Sequence, residues 1–388
     1  MKKRVMFYCQ HVLGMGHFIR SLEIVRALFG FDVYFINGGE IIPGFELPSA
    51  VEIINLPPVK ADSEFRDIYA IDGLGLDEIK DTRKKRIIAE YERVKPEILV
   101  IELFPFGRLR FADELIPLLE RAKFAGGSTK VVCSLRDILV NKREQQQFEE
   151  FALGIANRYF DLLLIHSDPR FQRLEETFPR IAELKCPLVY TGFVKQRLDE
   201  ESSSSAYLPE PEAGEKAILV SIGGGRVGVE LIDCAIEASR RLAGGLPHKM
   251  YIFTGPYISD SEFMRLQAKI VGCPRIILDR YTTRFISYLK RSDLSISMAG
   301  YNTCMNIIAT GARAIVYPFT GNNNEEQSIR AEKLRALGIV DLIRQQELEP
   351  ELLAEMIAAA VRKPADLIGP SFLDLDGAGK TAAELAKL

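Results

Sequence analysis

The residues best suited to chemistry fall in two glycine loops and one polar stretch. The first loop is Gly14-Met15-Gly16-His17, entered from the apolar run Val5–Cys9, with His11 before it and Arg20 one helical turn after it. A neutral imidazole at the start of a helix is a general base suited to pH 7, and the positive helix end lowers its pKa. The plainer alternative is a loop histidine that only caps the helix, and Arg20 suits a substrate contact as well as a solvated surface. Glu102 closes the buried run Ile98–Ile101. A carboxylate there is a rival base, or a partner for Arg108 or Arg110. The second loop, Gly223-Gly224-Gly225, follows Ile218–Ser221. Such a turn aims backbone N–H groups and a helix N-terminus at an anion, usually a phosphate. The third region runs from Ser292 to Gln327. In it Gly300 permits close backbone approach, Asn302 and Thr303 begin a helix, and Glu326 and Gln327 stand where a strand ends. Paired hydrogen-bonding groups of this kind suit sugar hydroxyls better than a flat aromatic ligand. Ordinary capping at two helix starts is the bland reading of the same residues.

These residues need rigid elements behind them. Strands are expected near 4–9, 32–36, 51–54, 98–101, 130–134, 161–165 and 188–191, with helices near 18–29, 74–94, 111–124, 143–158 and 170–176. Uninterrupted apolar runs such as Ile98-Leu99-Val100-Ile101 predict strands covered on both faces, hence parallel sheets. The stretch Glu200-Glu201-Ser202-Ser203-Ser204-Ser205, followed by Pro209 and Pro211, has a linker composition. Beyond it the alternation restarts, with strands near 217–221, 249–254, 275–278, 294–297 and 314–317. Helices there are expected near 227–243, 261–270, 283–290, 302–310, 325–337 and 349–361. The expected organisation is α/β: two Rossmann-like, doubly wound domains facing a cleft, over 1–198 and 215–370, joined by a linker at 199–214. A last helix within 371–388 is free to pack back on the first domain.

Composition narrows the function. The 388 residues carry a net charge of -3, which gives no reason to invoke nucleic acid. The six cysteines lie far apart with no CxxC pair, so neither a zinc site nor a disulfide framework is expected. No signal peptide and no apolar span of membrane length is visible, which predicts a cytoplasmic protein. Two motif matches are decoys. Gly223, Gly225 and Gly228 satisfy GxGxxG, yet the following strand ends Phe253-Thr254-Gly255 with no ribose-binding acid. Gly379-Lys380-Thr381 imitates a phosphate loop but lacks its first glycine, and Asp374-Leu375-Asp376 beside it imitates a metal motif. No metal and no cofactor is expected.

The chain resembles the GT-B glycosyltransferases, and family 28 most of all, strongest over Ile218–Glu237, Ser292–Ala336 and Gly14–Ala27. The phrase Ser134-Leu135-Arg136-Asp137 is similar to a poorly characterised branch of these proteins. The resemblance implies a donor site for a nucleotide sugar, UDP-linked by analogy. Gly223, Gly224 and Gly225 would face its diphosphate, and Arg280 and Tyr281 would hold the base. Gly300, Tyr301, Asn302 and Thr303 would lie near the phosphates, with Glu326 and Gln327 on the sugar. His17 would assist the acceptor or the leaving group, with His11, Gly14, Gly16 and Arg20 on the acceptor side. Asn306 departs from the family pattern, which has a ribose-gripping glutamate there; an amide accepts one bond but lacks the charge. The implied activity is metal-independent, inverting transfer of a hexose-type sugar to an acceptor hydroxyl. A UDP-sugar hydrolase with His17 activating water, and a non-catalytic binder, are the alternatives. The acceptor is not identified. Phe104-Pro105-Phe106-Gly107-Arg108, apolar then basic, would suit a lipid-linked or aromatic acceptor or be a packed loop.

Overall fold

The structure, a computed structural model, describes residues 2–11, 15–41, 48–61, 68–70, 75–124, 128–140, 142, 144–197, 209–321, 325–363 and 372–388. Gly14 and most of the expected linker lie outside them. The chain forms two units, one of Met1–Lys195 with Leu373–Leu388, the other of Gln196–Phe372.

The first unit alternates strand and helix. It runs β1 (Arg4–Cys9), α1 (Gly16–Ala27), β2 (Asp32–Asn37), β3 (Val51–Asn55), β4 (Val59–Ala61), β5 (Ile68–Ala70) and α2 (Leu76–Val94). It continues β6 (Ile98–Glu102), α3 (Ala112–Phe124), β7 (Lys130–Arg136), α4 (Gln145–Tyr159), β8 (Leu162–His166) and β9 (Leu188–Tyr190). Among the described residues its main sheet has seven strands in the order β3-β2-β1-β6-β7-β8-β9, every neighbour parallel. Val5–Cys9 and Ile98–Glu102 are wholly buried, as strands covered on both faces must be. The short antiparallel hairpin of β4 and β5 was not expected from the sequence.

A helix at 170–176 does not form. Asp168 O accepts the N–H groups of both Phe171 and Gln172 at 2.9 Å, and its carboxylate takes Arg170 N at 2.9 Å and Asp374 N at 3.0 Å. The chain is turned there, between Pro169 and Pro179, into two 3-10 turns, Leu174–Glu176 and Pro179–Glu183. Phe171 and Leu174 are buried without a helix, since the turn satisfies their burial.

The second unit runs β10 (Lys216–Ser221), α5 (Val229–Leu242), β11 (His248–Phe253), α6 (Asp260–Lys269), β12 (Ile276–Asp279), α7 (Phe285–Arg291) and β13 (Leu294–Met298). Then come α8 (Tyr301–Thr310), β14 (Ala314–Tyr317), α9 (Glu326–Ala336), β15 (Asp341–Leu342) and α10 (Pro350–Arg362). Its sheet, again wholly parallel, has the order β12-β11-β10-β13-β14-β15. Residues before β10 already belong to this unit: the Tyr251 hydroxyl donates to Pro209 O at 2.6 Å.

After α10 the chain returns to the first unit as α11 (Gly377–Lys387), which packs on α1. Phe193 N donates to Asp374 O at 2.7 Å and Gly377 N to Phe193 O at 3.0 Å. A Cβ on Gly377 would stand 2.4 Å from Gly192 O, so only glycine permits this approach. Both sheets reverse strand order beside their first strand, between β1 and β6 and between β10 and β13. In open α/β sheets ligands bind outside the carboxyl ends of the strands at such a point. Among the described residues no helix is long and apolar enough to cross a membrane.

Candidate functional site

In the first unit the reversal point brings His17 and Glu102 together. His17 is the second residue of α1, and Glu102 ends β6. His17 Nδ1 lies 2.7 Å from Glu102 Oε1. Arg20, a turn further along α1 and buried, donates to the same oxygen. Glu102 is fully buried, and burial alone would raise its pKa, yet the positive charges and the hydrogen bond around it hold the carboxyl well below its ordinary value. It is therefore an anion whose Oε1 is bonded to Arg20 and His17, while its buried Oε2 has no hydrogen bond among the described residues. The expected pairing with Arg108 or Arg110 is replaced by Arg20 and His17. Burial pushes the His17 imidazole down to about 3, with Arg108 and Arg20 acting the same way and Glu102 opposing. The ring is neutral at pH 7. An ionised carboxylate only accepts, so Nδ1 carries the proton and Nε2 is left with its lone pair.

The neighbouring strand ends are polar and buried. His11 Nε2 lies 3.1 Å from Asn37 Oδ1, and burial lowers this imidazole to about 4. His11 is thus tied to the end of β2. At the ends of β7, β8 and β9, His166 bridges Ser134 Oγ at 2.7 Å and Thr191 Oγ1 at 2.9 Å, with burial pushing its pKa to about 3. In the same unit Arg83 grips both Glu114 oxygens at 2.8 Å and donates to Gly38 O at 2.9 Å and Pro57 O at 2.7 Å. None of these three networks was visible in the sequence. Each joins residues from separate strands or helices. The apolar part of 104–108 is core: Phe104 and Phe106 are 0% and 2% exposed. That loop is flanked by two left-handed non-glycine residues, Leu103 (φ 68°) and Arg108 (φ 59°), each costing about 1–2 kcal/mol.

In the second unit the glycine loop follows β10. Gly225 (φ 90°) has no room for a side chain, since a Cβ would lie 2.4 Å from Thr254 O. Tyr257 N donates to Gly224 O at 2.9 Å, so the loop is fastened to the turn after β11. Gly223 differs: its φ is 69°, and a Cβ there would meet nothing within 4 Å. It faces open space. Across the reversal point Gly300 is the N-cap of α8, which has no side-chain cap and no acid in its first turn. Asn302 and Thr303 are half-buried in that turn, and Tyr301 is buried.

Arg330, which the sequence reading missed, ties α8 to α9. Fully buried, it donates to Ala299 O at 3.0 Å and to Glu326 Oε1 at 2.7 Å, and lies 5.6 Å from the centre of the Tyr301 ring. The spacing of Glu326 and Arg330, four residues apart on one helix, was the available signal. Gln327 accepts from Phe319 N at 3.1 Å. Arg280 and Tyr281 follow β12; the Arg280 guanidinium covers the Phe263 ring at 4.4 Å and donates to Ile258 O at 3.0 Å. Asn306, expected at the donor's ribose, stands on α8 one turn beyond Asn302 and Thr303. It is buried in the middle of α8, and its amide donates to Gln196 Oε1 at 2.6 Å.

Known proteins match this architecture. Residues 218–371 match the glycosyltransferase family 28 C-terminal domain. A UDP-N-acetylglucosamine–N-acetylmuramyl-(pentapeptide) pyrophosphoryl-undecaprenol N-acetylglucosamine transferase of Methylobacterium radiotolerans is 24% identical over 47% of this chain and 49% of its own. The chain thus spans about half the length of the curated relatives it matches. The crystal structure of Acinetobacter baumannii MurG aligns with 98% of this chain and 95% of its own at TM-score 0.55 and 14% identity. A putative UDP-N-acetylglucosamine 2-epimerase from Listeria monocytogenes aligns with 100% and 95% at TM-score 0.64 and 13% identity. At such identities the structural likeness speaks for the fold, and the sequence match speaks for the second unit. Residues 218–371 are thus similar to the family 28 C-terminal domain, and the chain has the GT-B fold, with two Rossmann-like units in one polypeptide.

Proposed function

We propose that this protein is a cytoplasmic glycosyltransferase that moves a hexose-type sugar from a UDP-linked donor to an acceptor hydroxyl, with inversion and without a metal. The observation that carries the reading is His17: a neutral imidazole whose Nδ1–H is committed to Glu102, leaving Nε2 as base. In the reaction the acceptor oxygen bonds to the anomeric carbon as its proton passes to Nε2. The bond from that carbon to the diphosphate breaks, and the diphosphate leaves with the electron pair. Glu102 and Arg20 are positioning residues: they fix the tautomer and keep the ring uncharged. The departing charge falls to Gly223–Gly225 and the uncapped N-terminus of α8, which supply backbone N–H groups and the positive helix end. Arg280 and Tyr281 hold the base, Gly300–Thr303 the phosphates, and Glu326 and Gln327 the sugar. Asn306, turned to Gln196, contributes little to the ribose.

His17→Ala separates chemistry from binding. Loss of the base costs about 10²–10⁴ in turnover, with UDP affinity, measured by thermal melting, unchanged. Full activity in that variant removes His17 from the mechanism. UDP-sugar consumption by the wild type without any acceptor identifies water as the nucleophile and makes the protein a hydrolase. Binding with no consumption under any acceptor makes it a non-catalytic binder.

A further inference from the structure

Within the first unit, α2 and α3 pack side by side and leave between their first halves a cavity of about 480 Å³. That volume is ordinary for a small-molecule site, about 300–1,000 Å³. One wall is the buried ion pair of Arg83 and Glu114, at 2.8 Å. Arg83 also donates to Gln10 Oε1 at 2.5 Å, and Glu114 accepts from the Tyr8 hydroxyl at 2.6 Å. Those bonds fasten the wall to β1 and to the residue after it, and they use up both charges. Val59, Phe111 and Ile116 add apolar surface. Four basic and four acidic side chains line the cavity, so it offers no net charge to an ion. At its edge Lys80 Nζ, on α2, stands 4.0 Å from Asp113 Oδ2, on α3. That is too long for a direct hydrogen bond. It is a span that one hydroxyl fills, accepting from the ammonium and donating to the carboxylate. Asp77, in the first turn of α2, adds a further acceptor. A neutral ring with several hydroxyls and an apolar face matches this lining. A phosphate would meet too many carboxylates, and an alkyl chain too many charges.

We propose that the cavity between α2 and α3 binds a sugar ring, carried by the acceptor or supplied as a separate sugar ligand. The choice of a sugar among hydroxylated ligands rests on the transferase reading. Neither His17 nor Glu102 lines the cavity, so the ring is held by groups outside the reacting pair.

The test titrates the methyl glycosides of glucose, galactose, mannose and N-acetylglucosamine into the full chain, with binding read by ligand line broadening and saturation transfer. Cyclohexanol, a six-membered ring with a single hydroxyl, is the control. At least one glycoside is expected to bind, at least tenfold more tightly than cyclohexanol. Lys80→Met keeps the apolar stem and removes the ammonium, and should weaken that glycoside at least tenfold. Asp113→Ala, at the other end of the span, should do the same. Both side chains reach solvent and their pair is long, so the melting temperature should not change. UDP affinity, which belongs to the second unit, should stay the same within twofold. No glycoside binding by the wild type, unchanged affinity in both variants, or equal binding of cyclohexanol overturns the proposal. With UDP-N-acetylglucosamine present, a glycosylated product whose KM rises in K80M names the acceptor as the source of the ring. Binding with no product, or with product formed equally by K80M, names a separate ligand. Failure of the wild type to bind UDP would count against the transferase reading instead, and the glycoside titration, which uses no donor, would still decide on the cavity.

Discussion

Lowering the pH should unfold the first unit by charging its histidines. The chain has four histidines, and His11, His17 and His166 lie in this unit with values pushed down to about 4, 3 and 3 by burial. An unfolded histidine titrates near 6.5. The folded values lie below the unfolded one, so the unfolded chain binds more protons as pH falls. Stability is complete above about pH 7 and is lost progressively toward the folded values. Each of the three contributes a loss of about 0.8 kcal/mol at pH 6 and about 2 kcal/mol at pH 5. The pH 5 figure is insensitive to the folded value, provided it stays well below 5. Together they remove about 6 kcal/mol at pH 5, comparable with the whole stability of a domain, about 5–15 kcal/mol. Carboxylates titrate lower, so the interval from pH 7 to 5 belongs to histidine. Urea unfolding at pH 7.5, 6 and 5, with hydrogen exchange to assign the loss to the first unit, measures the effect. Proton NMR tests its cause, because only four C2–H signals need following: those of His11, His17 and His166 should not titrate between pH 8 and 5.5. A His17 signal moving with a midpoint near 6.5, or unfolding free energy that is flat from pH 7.5 to 5, refutes the reasoning and with it the neutral base.

Two further perturbations concern the second unit. Gly223→Ala strains a positive φ by about 1–2 kcal/mol but meets no neighbour, so it should leave a folded protein with weakened UDP binding. Gly225→Ala, aimed at the Thr254 carbonyl, should lower the melting temperature as well; equal melting temperatures for the two variants would contradict this. Arg330→Met strands Glu326 and the Ala299 carbonyl, and should cost the second unit about 3–5 kcal/mol along with UDP binding; denaturant unfolding and UDP titration of the variant measure both.

How much of this was legible depends on the range of the interaction. Apolar runs such as Val5–Cys9 announce parallel strands because full burial removes alternation, and that pattern survives in a single sequence. Even the mixed run Leu294–Met298, with two serines in it, is buried throughout and was placed by its neighbours. Glycine loops are legible because the residue type itself betrays the backbone it serves, although the Thr254 carbonyl that forbids a side chain at Gly225 comes from another strand's end. Partnerships are another matter. His17 and Glu102 are 85 residues apart, and Asn306 and Gln196 are 110 apart. His17, Glu102 and Asn306 could each be singled out alone, but the pairing is made by the tertiary fold, which no local pattern encodes. The helix expected at 170–176 fails for the same reason, since Asp168, held by Asp374 from 206 residues away, turns the backbone there.

The return of residues 373–388 to the first unit bears on how the protein is made. The seven strands of that unit's main sheet and helices α1 to α4 leave the ribosome before residue 196, yet the face of α1 that receives α11 stays uncovered while the whole second unit is synthesised. The intervening unit is in effect an insertion within the first, and it has time to fold on its own core before its host is closed. Damage confined to Gln196–Phe372 would then delay or prevent completion of a unit it does not belong to. A shortened chain ending before Leu373 would expose that face of α1, making premature termination a solubility defect as much as a loss of residues.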